Sequence, residues 1–95
     1  MIAESKPLFL LGQIVATPGA LAALAASGQS PTEFLNRHVR GDWGLVCDED
    51  KTANEDALTD GTRILSAYKT NLGLTVWCLT EADRSSTCVL LPDEY

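Results

Sequence analysis

Three side chains in this sequence have the types that phosphodiester cleavage asks for: His38, the only histidine, together with Glu81 and Arg84. A carboxylate can take the proton of an attacking hydroxyl, an imidazole titrating near neutrality can protonate the leaving oxygen, and a guanidinium can offset charge developing on phosphate. They are distant in sequence, so this ribonuclease-like or toxin-like reading requires a fold that joins them at an open cleft. A more local constellation is His38 with Asp42, four positions on and beside Trp43, where the carboxylate would orient a histidine base if the helix ran that far. The competing reading of His38 is structural: a half-buried ring on a helix stripe, or a cap for the last helical carbonyls.

The most polar turn, Thr80–Thr87, sets Glu81, Asp83 and Arg84 beside Ser85, Ser86 and Thr87. As a recognition loop it would grip a carboxylate or phosphate with the planar fork of Arg84 while the hydroxyls fix orientation. As plain architecture, Arg84 would pair with Glu81 or Asp83 and Ser85 would close the turn. Trp43, Tyr68 and Trp77 divide in the same way, anchoring a partner if they face outward and filling the core if they do not.

Metal and cofactor chemistry find little support. Asp48, Glu49, Asp50, Glu55 and Asp56 lack the glycine-centred calcium-loop pattern and read as solvated charge at a helix start. Cys47, Cys78 and Cys88 are odd in number and not closely paired, which favours reduced thiols over a disulfide scaffold or zinc site. Gly12–Gly19 and Gly41–Gly44 do not match a phosphate loop. No metal and no cofactor are expected.

The elements that must position these residues follow from the whole chain. Ninety-five residues suffice for one core, so residues 1–95 are expected to form a single domain, with 1–6 a loose start or edge extension. Hydrophobic residues make up 45% and charged residues 21%, a balance that supports collapse. The net charge of −6 argues against direct nucleic-acid binding and permits attraction to a basic groove, hence an acidic nucleic-acid mimic as a further reading. The N-terminal stretch does not resemble a secretory signal and no run is long enough to span a membrane, so a cytoplasmic protein is expected.

Leu8–Ala16 is apolar on both parities and reads as a covered strand. Thr17-Pro18 predicts a capped, alanine-rich helix in which Leu21 and Leu24 share a face, with Gly28 as its exit. Ser30-Pro31-Thr32-Glu33 predicts a second helix with a capping box and a stripe of Phe34, Leu35, His38 and Val39, ended by Gly41. A third begins near Asp48-Glu49-Asp50, with Ala53, Ala57 and Leu58 inward, Asn54, Glu55 and Asp56 outward, and Gly61 as its stop. Arg63–Thr70, Leu74–Glu81 and Ser86–Leu91 read as an antiparallel meander joined at Asn71-Leu72-Gly73 and at the polar turn; Pro92 ends the pairing. The expected fold is α+β: short N-terminal and central helices packed on a three- or four-stranded, mainly antiparallel sheet.

Four segments also carry a family likeness: Leu11-Gly12-Gln13-Ile14-Val15-Ala16-Thr17-Pro18-Gly19-Ala20, Gly41-Asp42-Trp43-Gly44, Arg63-Ile64-Leu65-Ser66-Ala67-Tyr68 and Thr80-Glu81-Ala82-Asp83-Arg84-Ser85-Ser86-Thr87. Together they resemble an uncharacterised family of small bacterial proteins carried on plasmids and other mobile elements. The resemblance brings no assigned activity or functional residues; its mobile-element association implies interference with host defence, or a toxin-like role. The preferred expectation is an accessory protein that binds another protein by steric occupation, with Trp43 or Trp77 giving apolar contact and Glu81, Asp83, Arg84 and Ser85 forming the recognition rim. A homodimer is expected if a sheet edge or apolar face stays uncovered.

Overall fold

A computed structural model describes residues 7–95. In chain order it contains β1 (Gln13–Ala16), α1 (Pro18–Ala26), α2 (Pro31–Val39), α3 (Asp48–Asp60), β2 (Ile64–Lys69), β3 (Thr75–Thr80) and β4 (Ser86–Leu90), followed by a 3-10 turn at Pro92–Glu94. The strands form one sheet in the order β1-β4-β3-β2, antiparallel except for the parallel β1–β4 pair. The molecule is an α+β fold with short helices on a mixed, mainly antiparallel sheet. Among the described residues no helix is long and apolar enough to cross a membrane.

The helices begin where local chemistry supplies donors and acceptors. Thr17 Oγ1 accepts from the Ala20 N–H at 3.1 Å and donates to Glu94 Oε1 at 2.5 Å, which ties the last turn of the chain to the first turn of α1. Pro18 and Pro31 each occupy a first helical turn, where a missing N–H is harmless. The expected capping box of α2 does not form. Ser30 makes no side-chain cap, and the Glu33 carboxylate instead accepts from Gln29 Nε2 at 2.7 Å.

Alternation along the strands sets the core. Tyr68, Val76, Cys78 and Val89 share the sheet face that meets Ala20, Leu24, Phe34 and Leu35. A second cluster joins Trp43, Ala57 and Ile64 beneath Phe9, Val46 and Leu58. Each large side chain buried in these clusters contributes roughly 1.5–3 kcal/mol of transfer free energy. Leu24 is buried, whereas Leu21, expected on the same face, is 48% exposed.

Two expectations need correction. The strand predicted over Leu8–Ala16 is confined to Gln13–Ala16 and lies at the sheet edge, with Ile14 and Val15 largely exposed rather than covered. Gly12 enforces the break: it takes a left-handed φ of 64°, and a Cβ there would lie 2.4 Å from the Arg84–Ser85 backbone. In α3, Ala53 faces solvent, and Asn54 is buried along with Ala57. The Asn54 amide donates to the Leu65 carbonyl at 2.8 Å and accepts the Leu65 N–H at 3.1 Å, standing in for a neighbouring strand. Two residues along, the Ala67 N–H bonds the Trp43 carbonyl and the Ala67 carbonyl accepts from Leu45 N–H at 2.7 Å. The outer edge of β2 is therefore occupied within the molecule at Leu65 and Ala67.

Candidate functional site

His38 projects from the buried stripe of α2 and is fully enclosed. Its Nδ1 lies 2.5 Å from Ser66 Oγ and its Nε2 lies 2.8 Å from Thr80 Oγ1. Thr80 Oγ1 is in turn 2.8 Å from Thr87 Oγ1, which donates to the Leu11 carbonyl at 2.7 Å. Proton counting fixes the direction of this chain, since each hydroxyl has one hydrogen to give. Thr87 spends its hydrogen on Leu11, so Thr80 donates to Thr87 and must accept from His38. The ring is then the Nε2–H tautomer, and Nδ1 accepts from Ser66.

This arrangement opposes charging. Burial, the larger cause, and the nearby Arg84 cation together lower the His38 pKa from 6.5 to about 4. At neutral pH the imidazole is uncharged, with both nitrogens occupied by protein hydroxyls. Asp42 does not orient it: Asp42 Oδ2 accepts from Arg37 Nε at 2.7 Å, and its backbone carbonyl accepts from Tyr68 Oη at 2.6 Å. The Arg37 guanidinium holds the Asp42 carboxyl below the usual carboxylate range.

Arg84 serves backbone rather than side-chain acceptors. It has a left-handed φ of 59°, and its Nη1 reaches the carbonyls of Thr62 at 2.6 Å, Glu81 at 3.1 Å and Ala82 at 3.3 Å. Nη2 donates to the Ala57 carbonyl at 2.9 Å, near the C-terminus of α3. Among the described residues no carboxylate forms an ion pair with it. Glu81 is engaged by Arg63 at 3.4 Å, while Asp83 accepts the Ser85 N–H at 3.0 Å and closes the turn. Arg84 thus meets Glu81 only through its backbone carbonyl, the Glu81 carboxylate is turned to Arg63, and the histidine of this trio has no access to solvent.

The tryptophans part company. Trp43 is 5% exposed, gives its Nε1–H to Glu55 at 2.7 Å and stacks near Phe9. Trp77 is half-buried on the sheet face away from α1 and α2, with Tyr95 edge-on at 5.9 Å. Of the thiols, Cys47 is exposed, Cys88 is half-buried and Cys78 is enclosed, its pKa pushed up to about 12 chiefly by burial. No group of three metal-ligating side chains occurs among the described residues.

A concave surface of about 460 Å³ lies where the 7–12 segment crosses the end of α2, lined mainly by Phe9, Leu10, Leu11, Asn36, Val39 and Arg84. The Leu8 N–H holds this segment to the Val39 carbonyl at 2.8 Å, and the Arg84 guanidinium lies 5.7 Å from the centre of the Phe9 ring. The result is an apolar groove with one cation in its wall. From sequence, the apolar 8–11 run resembled strand rather than groove. Ser66, Thr80 and Thr87 were also missed as a unit, although all three fall on the strand parity that faces the helices. Comparison with protein-family models, curated proteins and solved structures found no match.

Proposed function

We propose that this chain is a small accessory protein that acts by binding a segment of another protein in the groove between residues 7–12 and α2. The observation supporting this reading is a solvent-accessible apolar groove whose wall contains Arg84, a cation with no carboxylate partner among the described residues. The complementary ligand is an apolar segment bearing a carboxylate, held by contact with Phe9, Leu10 and Leu11 and oriented by the guanidinium. Catalysis is the weaker reading, because the sole histidine is enclosed and neutral. The likeness to mobile-element proteins makes a host-defence component the partner class to test.

Selection of randomised peptides on the full chain tests the groove directly. Enriched peptides should combine apolar residues with an acidic one or a free C-terminus. They should lose binding to Leu10→Asp, a change at a side chain 75% exposed and therefore compatible with folding. Selection that yields no such peptides, or peptides indifferent to Leu10→Asp, refutes the assignment.

One observation favours acidic mimicry as a second reading: six of the thirteen acidic residues lie on α3 against a single lysine. That reading expects salt-sensitive competition with nucleic acid for a basic protein, abolished by neutralising Asp48, Asp56 and Asp60 together.

A further inference from the structure

We propose that β1 pairs with β1 of a second copy of this chain, antiparallel about a two-fold axis at Val15, so that two sheets continue as one. The inference stands independently of the groove. It begins with the backbone. Gln13 and Thr17 direct their N–H groups to Ser85 and Val89 of the β4 side, at 2.9 Å and 3.0 Å. Because successive residues of a strand point their peptide groups in opposite directions, Ile14 and Ala16 present theirs to the side on which none of the described residues pairs with β1. This is the accessible edge of the sheet, since Asn54 and residues 43–45 occupy the other.

A dyad at Val15 makes that edge self-complementary. Ile14 then lies opposite Ala16 of the second copy, and Ala16 opposite Ile14 of the second copy. Both pairs have outward peptide groups and so exchange N–H and C=O across the axis. Val15 meets its own counterpart at the closer, non-hydrogen-bonded position, where β-branched side chains pack well. Ile14 and Val15 are 51% and 42% exposed, and Leu8, Leu10 and Leu21 nearby in the chain are exposed as well.

Charge selects a second copy over other occupants. No charged residue occurs from Pro7 to Thr32, although the chain as a whole carries −6. Two copies repel across most orientations, and the segment containing β1 contributes no charge of its own, the Glu94 carboxylate that reaches Thr17 standing beyond the end of the strand. A basic partner would be drawn instead to α3, where carboxylates concentrate.

Sedimentation equilibrium of the full chain over a range of concentrations tests the proposal. The wild type is expected to form dimers that tighten as salt rises, because screening removes repulsion between two anionic copies. Ile14→Pro removes an outward donor while leaving the β4 ladder intact, and Val15→Lys sets like charges face to face; each should weaken dimerisation by roughly tenfold or more. Circular dichroism reports whether each variant retains its fold, and Val15→Lys decides the matter should Ile14→Pro unfold. A wild type that stays monomeric, a dimer insensitive to Val15→Lys, or one that dissociates on adding salt overturns the proposal.

Discussion

Replacing His38 with Gln separates the buried polar chain from its titration. In the folded protein the imidazole titrates near 4 because it is enclosed and close to Arg84, whereas its ordinary value is 6.5. Between those values the unfolded chain binds a proton that the folded chain refuses. Stability from this group is therefore complete above the unfolded pKa and is lost as pH falls toward the folded one. A difference of about 2.5 pH units corresponds to about 3.5 kcal/mol at roughly 1.4 kcal/mol per unit, of which about 3 kcal/mol is lost by pH 4, where the folded ring is itself half protonated. Gln keeps a donor for Thr80 but does not titrate. Urea unfolding followed by tryptophan fluorescence, for both proteins between pH 7 and pH 4, should show the wild-type advantage shrinking by about that amount. Asp42, Asp83 and Glu94, whose carboxyls are held low by their hydrogen bonds, titrate in both proteins and cancel in the difference. The single histidine also gives one imidazole resonance to follow by NMR. A midpoint at or above 6.5, or a stability difference that does not change with pH, would refute the reasoning from burial.

Asn54→Ala should destabilise by about 1–3 kcal/mol, since it strips partners from both backbone groups of Leu65, and hydrogen exchange at the Leu65 amide should accelerate. Gly44→Ala should cost more than about 3 kcal/mol or prevent folding: φ is +73°, and the new Cβ would lie 2.0 Å from the Ala67 carbonyl oxygen and 2.7 Å from the Tyr68 ring. Gly61→Ala is the control; φ is +71° but nothing lies within 4 Å, so only the left-handed penalty of about 1 kcal/mol is expected in chemical denaturation.

The parts of the fold legible in sequence are those decided by short-range chemistry. The three C-terminal strands agree with expectation to within a residue or two, because glycine, proline and polar turns bound segments of branched and aromatic residues. Helix starts at Thr17-Pro18 and Ser30-Pro31 were equally local. Asn54 defeated the same reasoning: an amide among acidic neighbours reads as solvent-facing, and its burial depends on a strand edge more than ten residues away. The 7–12 segment failed for the converse reason, since apolar residues lining a groove have the same composition as a covered strand. For the site, residue type identified His38 and Arg84 as unusual, but their use depends on distant acceptors. The carbonyls of Ala57 and Thr62 carry no sequence signal, and the hydroxyl chain from Ser66 to Leu11 is visible only once strand parity and helix placement are known together.

The occupied border of β2 also bears on how far sheet-to-sheet joining can go. A ribbon that grows without limit needs every added subunit to offer a fresh, unsatisfied border opposite the one just used. Here the side chain of one asparagine and residues 43–45 already take that role at Leu65 and Ala67, so the β1 pairing proposed above would be expected to stop after one step. The same few contacts that fasten α3 and residues 43–45 to β2 would then set an upper bound on size, favouring a discrete pair over a fibril.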